Sequence, residues 1–357
     1  MKQIKNQYIV AIMKAFKRHR DYGFFDQDIR LSKLSKLGDP LEKLNQGIDF
    51  EVFRTVLENG FEKVAKGKGG RRPFDYMMMF KILILQRYYN LSDDQIEYQI
   101  NDRMSFMRFL NLSIADDIPN SKTVWNFREQ MVNLELVDVV FALFLKELEQ
   151  LGLVVNEGKI IDASFIEVPN QRNSRDENKQ IKEGETPKSF EENPNKKEQK
   201  DLDARWTKKN NVSHYGYKNH IKADAKSKLI VKYKVTDASV HDSQILDSLL
   251  DDKDTYEDFY GDSVYSGQTQ QDIFSNKEMI DKTCKKGYKN SPLTDQVKEI
   301  NKEKSRVRSR VEHIFGFMEG SMNGMNLCAI GIKRIEGIVG LMNLTYNMFR
   351  KIQLQAI

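Results

Sequence analysis

The periodicity of apolar residues changes at Gly152, and this change limits the fold more than any other feature of the chain. Up to Gly152, apolar side chains recur every three or four residues, as on one face of a helix. After it they alternate with polar side chains, as along a half-buried strand. The pattern therefore predicts an all-α domain over residues 1–150, followed by an α/β domain over residues 151–357.

Helix signals mark most of the first 150 residues. The segment RRPFDYMMMFKILILQRYYN predicts an apolar helix that ends near Asn90, and Ser92 followed by Gln95 has the spacing of a capping box. Ser121 is predicted to open another short helix, and Gly152 to end the last one. Short capped helices separated by Lys and Arg are typical of a helix-turn-helix-like DNA-binding module, and equally of a helical packing domain.

The second domain shows its elements in the order of three strands, a helix, a strand, a helix, a strand and a C-terminal helix from about Thr294. This is the order of the α/β ribonuclease-H-like fold, a mixed five-stranded sheet in which three antiparallel strands precede two parallel ones. Residues 170–210, between the first two strands, are rich in Asn, Lys, Glu and Gln and contain Pro187 and Pro194. We expect them to form a polar, largely disordered insertion.

Basic residues are concentrated in two zones, although the chain as a whole is nearly neutral. It has 57 Lys and Arg against 52 Asp and Glu, a net charge of +5. Residues 1–75 contain 16 basic and 10 acidic side chains, and residues 282–310 contain 10 basic and three acidic ones. Such zones indicate contacts with a polyanion, or a solvated surface without a partner.

Cysteine usage and hydropathy indicate the environment of the chain. Cys284 and Cys328 have no paired spacing, so neither a disulfide framework nor a cysteine zinc site is supported. No local spacing joins His214, His220 and Cys284 as zinc ligands either. The apolar stretches are interrupted or too short to cross a bilayer, and the N-terminus lacks a cleavable signal pattern. The prediction is a cytoplasmic protein with no membrane partner.

Two aspartates occupy strand positions that are unusual for a charged side chain. Asp162 lies within the first strand, between Ile161 and Phe165, and Asp262 lies at the end of the fourth. In the expected fold these strands are neighbours, so the two carboxylates can face each other. A carboxylate inside a strand costs several kcal/mol unless it is paired or bound to a metal. The alternative is that each pairs with a Lys or Arg.

A third carboxylate comes from the C-terminal helix. The stripe formed by its apolar residues places Glu312 at the edge of the buried face, with Arg308 one turn earlier. The alternative for this couple is a solvated ion pair. Three converging carboxylates would hold two Mg²⁺ ions roughly 4 Å apart for an in-line phosphoryl displacement. Arg308 would help to neutralise charge on the phosphate.

The motifs that carry these residues occur together in one order along nearly the whole chain. IIDASFIEVP, YGYKNHIKAD, VTDASVHDS, YGDSVYSG and RSRVEHIF follow one another, and Asp162, Asp262 and Glu312 are spaced by 100 and 50 residues. In this the chain resembles the bacterial insertion-sequence DDE transposases, specifically the branch typified by insertion sequence five. The N-terminal helical region is similar to the module that precedes their catalytic domain.

The resemblance implies that Asp162, Asp262 and Glu312 form the metal triad. It implies two Mg²⁺ ions as cofactor, with Mn²⁺ able to substitute, and DNA cleavage followed by strand transfer. The partners would be double-stranded DNA, as transposon ends and target, and further copies of the chain in a homodimer or larger assembly on DNA, at the bacterial nucleoid. The family signature carries a Tyr and a Lys where this chain has Ser305 and Glu319, so the resemblance assigns no residue of this chain to the DNA contact of that Lys.

Several residues are candidates for DNA contact or for a purely structural role. Trp206 could stack on an unpaired base, or make a local packing contact. His220 is expected to point from a strand face to DNA or solvent, and Asp242 to cap a helix. The cations predicted to contact DNA are Arg306, Arg308 and Arg310 in the second basic zone, and Lys333 and Arg334 as the cations that could offset Glu319.

Two other functions compete with that of a transposase. One is a catalytically inactive or domesticated DNA-binding protein derived from a transposase, against which the complete set of three carboxylates argues. The other is a ribonuclease-H-like nuclease that cuts DNA without joining it. Inverted repeats on both sides of the gene would argue against the first, and strand-transfer products would exclude the second.

Overall fold

The computed structural model describes residues 21, 23–62, 72–168, 172–287 and 292–356. The chain divides into two compact units, residues 1–39 and residues 40–357. In the first, helix α1 (Asp26–Lys36) has Asp26 and Asp28 in its first turn and Lys33 and Lys36 in its last. This arrangement of charges complements the helix dipole.

In the described part of the second unit, the first seven α-helices have ends that agree closely with the sequence signals. The Ser92–Gln95 capping box is confirmed in both of its hydrogen bonds. The cap of α7 is Asn120 rather than Ser121, because the Asn120 side chain accepts from the Thr123 amide at 2.9 Å. The helices are α2 (Pro40–Gly47), α3 (Arg54–Glu62), α4 (Tyr76–Tyr88), α5 (Asp93–Asp102), α6 (Met104–Leu110), α7 (Ser121–Asn133) and α8 (Leu136–Gln150).

A mixed sheet of six strands follows, in the order β2-β3-β1-β5-β6, with β4 also paired to β3. The pairs β1–β3 and β3–β4 are antiparallel, and β1–β5 and β5–β6 are parallel. The path β4-β3-β1-β5-β6 is the predicted five-stranded arrangement, and β2 is an additional strand beside β3. The strands are β1 (Lys159–Glu167), β2 (Arg205–Lys209), β3 (Val212–Asp224), β4 (Ile230–Asp237), β5 (Asp258–Tyr260) and β6 (Ile280–Asp281).

The helices of this region connect the strands and cover the sheet. The predicted single helix from Thr294 is two helices, α14 and α15, that meet at Ser309, and a π-helical turn, Phe317–Ser321, extends the second. In the described ranges no helix is long and apolar enough to cross a membrane. The helices are α12 (Leu246–Leu249), α13 (Gln268–Asn276), α14 (Asp295–Arg308), α15 (Arg310–Gly316) and α16 (Ile332–Gln355).

Residues 172–210 are ordered, so the prediction of a largely disordered insertion differs from the structure. They form α9 (Arg175–Lys182), α10 (Lys188–Glu191), α11 (Pro194–Glu198) and β2. Buried polar side chains stabilise this segment in place of a large apolar core. The Asn178 amide donates to the Ala204 carbonyl at 2.9 Å, and the buried Asp201 carboxylate accepts from the Tyr217 hydroxyl at 2.7 Å. Composition alone does not reveal such long-range hydrogen bonds.

The polar face of β3 is buried, although its alternating pattern predicts exposure. His220 is fully buried and bonds the Thr236 hydroxyl at 2.9 Å, so the prediction that it faces DNA or solvent is wrong. Lys222, also buried, donates to Asp251 and Asp254 at 2.7 Å each. These ion pairs allow the segments that follow β4 to cover a face that carries charge.

One hydrophobic core joins the N-terminal helices to the sheet. Helix α16 lies between them, in contact with α4 and α8 on one side and with β4 on the other. Buried amides fix its position: Asn343 and Asn219 exchange hydrogen bonds, and Asn347 bonds both backbone groups of Ile230. A smaller cluster around Phe259 and Phe274 fills the other side of the sheet.

Candidate active site

The sheet register places Asp162, within β1, and Asp262, two residues past the end of β5, at matching positions. Ile160 of β1 pairs with Tyr260 of β5, and each aspartate follows its paired residue by two positions. The Asp262 carboxylate is exposed and accepts from the Ser263 amide at 2.6 Å, which caps a short 3₁₀ turn. Both carboxylates therefore lie where the two central strands leave their common ladder.

Asp162 is partly buried, and its environment disfavours the ionised form. Its Oδ1 accepts from the Ala163 amide at 2.8 Å. Burial raises the pKa of Asp162, and the nearby Asp242 charge raises it further, against the opposing effects of the Ala163 hydrogen bond, Arg308 and Lys209. A carboxylate with a raised pKa and incomplete charge compensation favours a bound cation.

Tyr265 lies in the 3₁₀ turn that follows Asp262, and its ring is buried. Burial raises the pKa of Tyr265 well above its usual value. The charges of Asp242, Asp162 and Asp262 raise it further, in that order. The charges of all three aspartates therefore act on one buried phenol, which makes Asp242 a neighbour of the candidate site.

Arg308 and Glu312 lie on different helices, α14 and α15, which meet at Ser309. The Arg308 Nη1 lies 3.9 Å from the Asp162 Oδ2, at the long end of ion-pair distance. Glu312 is exposed in the first turn of α15, a helix that contacts β1. In the described part of the chain the Glu312 carboxylate has no hydrogen bond or ion pair, so the alternative of a solvated Arg308–Glu312 pair is not what this structure shows.

The donor atoms of this site suit a metal ion, but the present positions of the side chains do not form a closed metal site. All the donors are carboxylate oxygens, which hard divalent cations such as Mg²⁺ prefer. Among the described residues, however, no three His, Cys, Asp or Glu side chains lie close enough together to hold a metal ion. The structure thus brings Asp162 and Asp262 to matching positions, and it leaves Glu312 outside a closed cluster.

Asp242 is a charged neighbour of the candidate site that sequence reasoning missed. The prediction that it caps a helix is wrong, because His241 holds the cap position of the 3₁₀ turn Asp242–Gln244. Instead the Asp242 Oδ1 accepts from the Lys218 ammonium at 2.8 Å and lies 3.9 Å from the His220 Nδ1. The signal available in the sequence was the polar stripe of Lys218 and His220 on one face of β3, which requires an acidic partner if that face is buried.

Two of the cations predicted to contact DNA are engaged within the protein. Arg310 donates to the Ala225 carbonyl at 2.7 Å, and Arg334 pairs with Glu129 at 2.8 Å. Arg334 therefore does not offset Glu319 here. By contrast, Arg306 and Lys333 are exposed, and neither has an acidic partner within the described ranges. Whether any of these cations contacts DNA stays a prediction.

Trp206 is partly buried within the insertion. Its indole Nε1 donates to the Asn173 carbonyl at 2.9 Å, and its ring packs at 5.0 Å from that of Tyr215. The guanidinium groups of Arg172 and Arg175 each lie 5.9 Å from the Trp206 ring. These contacts make up the local packing that was the alternative to base stacking, and stacking on a base stays a prediction.

A mixed sheet of this order, with acidic residues where its two central strands separate, defines a ribonuclease-H-like domain. Residues 155–348 match the family described as the transposase DDE domain, and residues 29–130 match a second family described as a transposase domain (DUF772). Because the first match covers more than half of the chain, the protein belongs to the family of DDE transposases. It is therefore a DNA transposase, an enzyme of metal-dependent DNA cleavage and strand transfer, as predicted.

The chain is also similar to a solved transposase structure. A cryo-EM structure of the piggyBac transposase synaptic complex with hairpin DNA has a TM-score of 0.43 and 12% identity, over 88% of this chain and 75% of that one. A likeness this distant assigns no function by itself. Membership of the branch typified by insertion sequence five stays a prediction.

Proposed function

We propose that this transposase binds the terminal inverted repeats of its own insertion sequence, cuts the DNA beside them and joins the ends to a target. The observation that carries the proposal is the matching position of Asp162 and Asp262 where the two central strands leave their common ladder, in a chain of the DDE family. Intact acidic residues at this edge favour an enzyme over an inactive DNA-binding derivative.

The metal-binding role falls to Asp162, Asp262 and Glu312 in this proposal. When bound, two Mg²⁺ ions, or Mn²⁺ in their place, would supply Lewis-acid stabilisation of the attacking and leaving oxygens. Asp162 is held in place for this role by the Ala163 amide, and Glu312 stands free on the helix that contacts β1. Arg308, beside Asp162, is positioned to attract the scissile phosphate.

Recognition of the DNA ends is assigned to the helical N-terminal domain, residues 1–150, and catalysis to residues 151–357. Helix α7 offers a surface for this purpose, because Lys122 and Trp125 are both solvent-accessible on it. We further propose that the active complex contains two or more copies assembled on double-stranded DNA, in the bacterial cytoplasm at the nucleoid.

Variants of the three carboxylates test the proposed chemistry. Asp162→Asn, Asp262→Asn and Glu312→Gln should each reduce Mg²⁺-dependent cleavage of an end-containing duplex below detection. Binding of the same duplex should change little, because these residues serve chemistry rather than phosphate contact. The assays are gel-resolved cleavage in Mg²⁺ and binding in its absence.

Asp295→Asn is the matched control, since Asp295 is fully exposed at the start of α14. Full activity in any of the three variants removes that residue from the triad. If the unaltered chain binds the ends but never cuts them, the catalytically inactive alternative is correct instead.

A further inference from the structure

The β2–β3 hairpin returns the insertion to the sheet close to the candidate active site. β2 pairs antiparallel with the first residues of β3, from Arg205 opposite Gly216 to Lys209 opposite Val212. The two turn residues, Asn210 and Asn211, have left-handed φ angles of 49° and 64°. This is the backbone of a two-residue type I′ turn, in which Asn is favoured. The turn fixes the register of β2 and with it the position of Lys209.

A stacked pair of rings holds the hairpin against β1. The Phe165 and His214 rings are parallel within 3°, with their centroids 4.1 Å apart. The His214 Nδ1 also bonds the Glu167 carboxylate at 3.1 Å. Phe165 follows Asp162 by three residues on β1, and the Lys209 ammonium lies 5.7 Å from the Phe165 ring. The hairpin therefore places a cation beside Phe165, on the strand that carries Asp162.

Lys209 and Lys218 both lie beside Phe165, but among the described residues only Lys218 pairs with a carboxylate. Lys218, whose ammonium is 5.4 Å from the same ring, donates to Asp242 at 2.8 Å. Lys209 is exposed, and within the described residues no carboxylate lies at ion-pair distance from it. A cation–π contact at an exposed position leaves the charge in place. The positive charge of Lys209 is therefore available to an anion.

The helix that carries Glu312 offers no such cation. Glu319 stands where the family signature has a lysine, and in the described part of the chain it is exposed and has no basic partner. An acidic side chain repels the DNA backbone. Arg308 of α14 lies beside Asp162, and a further cation that contacts a phosphate near the carboxylates can come from β2, which carries Lys209.

We propose that Lys209 binds a backbone phosphate of the DNA held at the active site, and that the insertion serves to deliver it there. The Phe165–His214 stack is the rigid support for this contact, and the ligand is a phosphodiester of double-stranded DNA. The inference rests on the proposed function, because it requires DNA to lie across the strand ends that carry Asp162 and Asp262.

The test is the salt dependence of DNA binding by the full chain without divalent metal. The probe is chosen from duplexes tiled across the DNA that flanks the gene, as the one that the unaltered chain binds most tightly. Loss of one phosphate contact should lower the slope of log affinity against log salt by about 0.9. We expect this decrease for Lys209→Ala, and a slope close to that of the unaltered chain for Lys209→Arg.

Lys208→Ala is the matched control, because Lys208 is an equally exposed neighbour whose side chain leaves the opposite face of β2. A slope that Lys209→Ala leaves unchanged, or that both alanine variants lower equally, overturns the inference. Mg²⁺-dependent cleavage by the unaltered chain distinguishes this failure from that of the proposed function. If that chain neither binds nor cuts any flanking duplex, both proposals fail together.

Discussion

The buried imidazole ring of His220 makes the free energy of unfolding depend on pH. Burial lowers the pKa of His220 from 6.5 to about 4, because the Asp242 charge only partly offsets the loss of solvation. Between these two values the unfolded chain binds a proton that the folded chain does not. The contribution of the neutral, buried His220 to the free energy of unfolding is therefore complete above pH 6.5 and is lost as the pH falls towards 4.

We predict that His220→Gln reduces the dependence of the unfolding free energy on pH in this window. In the unaltered chain, His220 should change the free energy of unfolding by on the order of 3 kcal/mol across this pH window. Urea unfolding at a series of pH values measures it. His241→Gln is the control, since His241 is exposed. If both variants keep the slope of the unaltered chain, His220 does not control the acid stability.

Glu319 allows a test of whether its π-helical turn lies near DNA. Glu319→Lys replaces a repulsive charge by the lysine of the family signature, and the side chain is exposed, so the fold should tolerate the change. We expect tighter binding of duplex DNA, with a salt slope steeper by about 0.9 if a new phosphate contact forms. An unchanged slope would mean that this turn faces away from the DNA.

The sequence indicated those candidate site residues whose positions depend on local patterns. Asp162 and Asp262 could be found because each interrupts or ends an apolar strand, and the order of the strands makes those two strands neighbours. Asp242 could not be found in this way. Its partners, Lys218 and His220, lie more than twenty positions earlier, and the hydrogen bond forms only when the face of β3 is covered.

At the scale of elements, Gly216 allows the backbone of β3 to approach that of β1 closely. Its φ of +146° is rarely adopted by other residues, and a Cβ there would lie 2.2 Å from the Ile166 carbonyl oxygen. Because that oxygen belongs to the paired strand, it cannot move away at low cost. The close approach of the two backbones at this point therefore requires glycine.

We predict that Gly216→Ala lowers the free energy of unfolding by about 3 kcal/mol or more, through backbone strain and steric conflict together. Gly152 provides the comparison, since its φ is +67° but an added Cβ would meet nothing within 4 Å. Gly152→Ala should cost about 1 kcal/mol, from its left-handed conformation alone. Equal losses in urea unfolding would show that the contact with Ile166 relaxes freely.

The order of the strands was predictable because periodicity is a local property, and the insertion was not. It is stabilised by buried polar groups such as Asn178 and Asp201, whose partners include Trp206 of β2 and Tyr217 of β3. The same limit applies to the break at Ser309. The apolar stripe continues through it, so the sequence indicated one helix where the structure has two.

At the scale of the whole molecule, the predicted domain boundary near residue 150 crosses a continuous core. Helix α16 contacts α4 and α8 as well as β4, so residues 151–357 alone would expose the face of α16 that these helices cover. We predict that this fragment shows no cooperative unfolding transition in calorimetry or urea. A chain lacking residues 1–39, a separate compact unit, should keep the transition. Cooperative unfolding of the 151–357 fragment would show that the catalytic part folds independently.

The position of α16 in the chain also sets a constraint during synthesis on the ribosome. The helices and strands that α16 joins are all translated before it, and its buried residues, from Ile335 to Met348, complete the apolar core between them. Until α16 emerges, the nascent chain keeps an apolar groove open between its two halves. Such exposed surface favours aggregation and chaperone capture. A premature stop before α16 would therefore yield a polypeptide that contains Asp162, Asp262 and Glu312 but cannot bury its core.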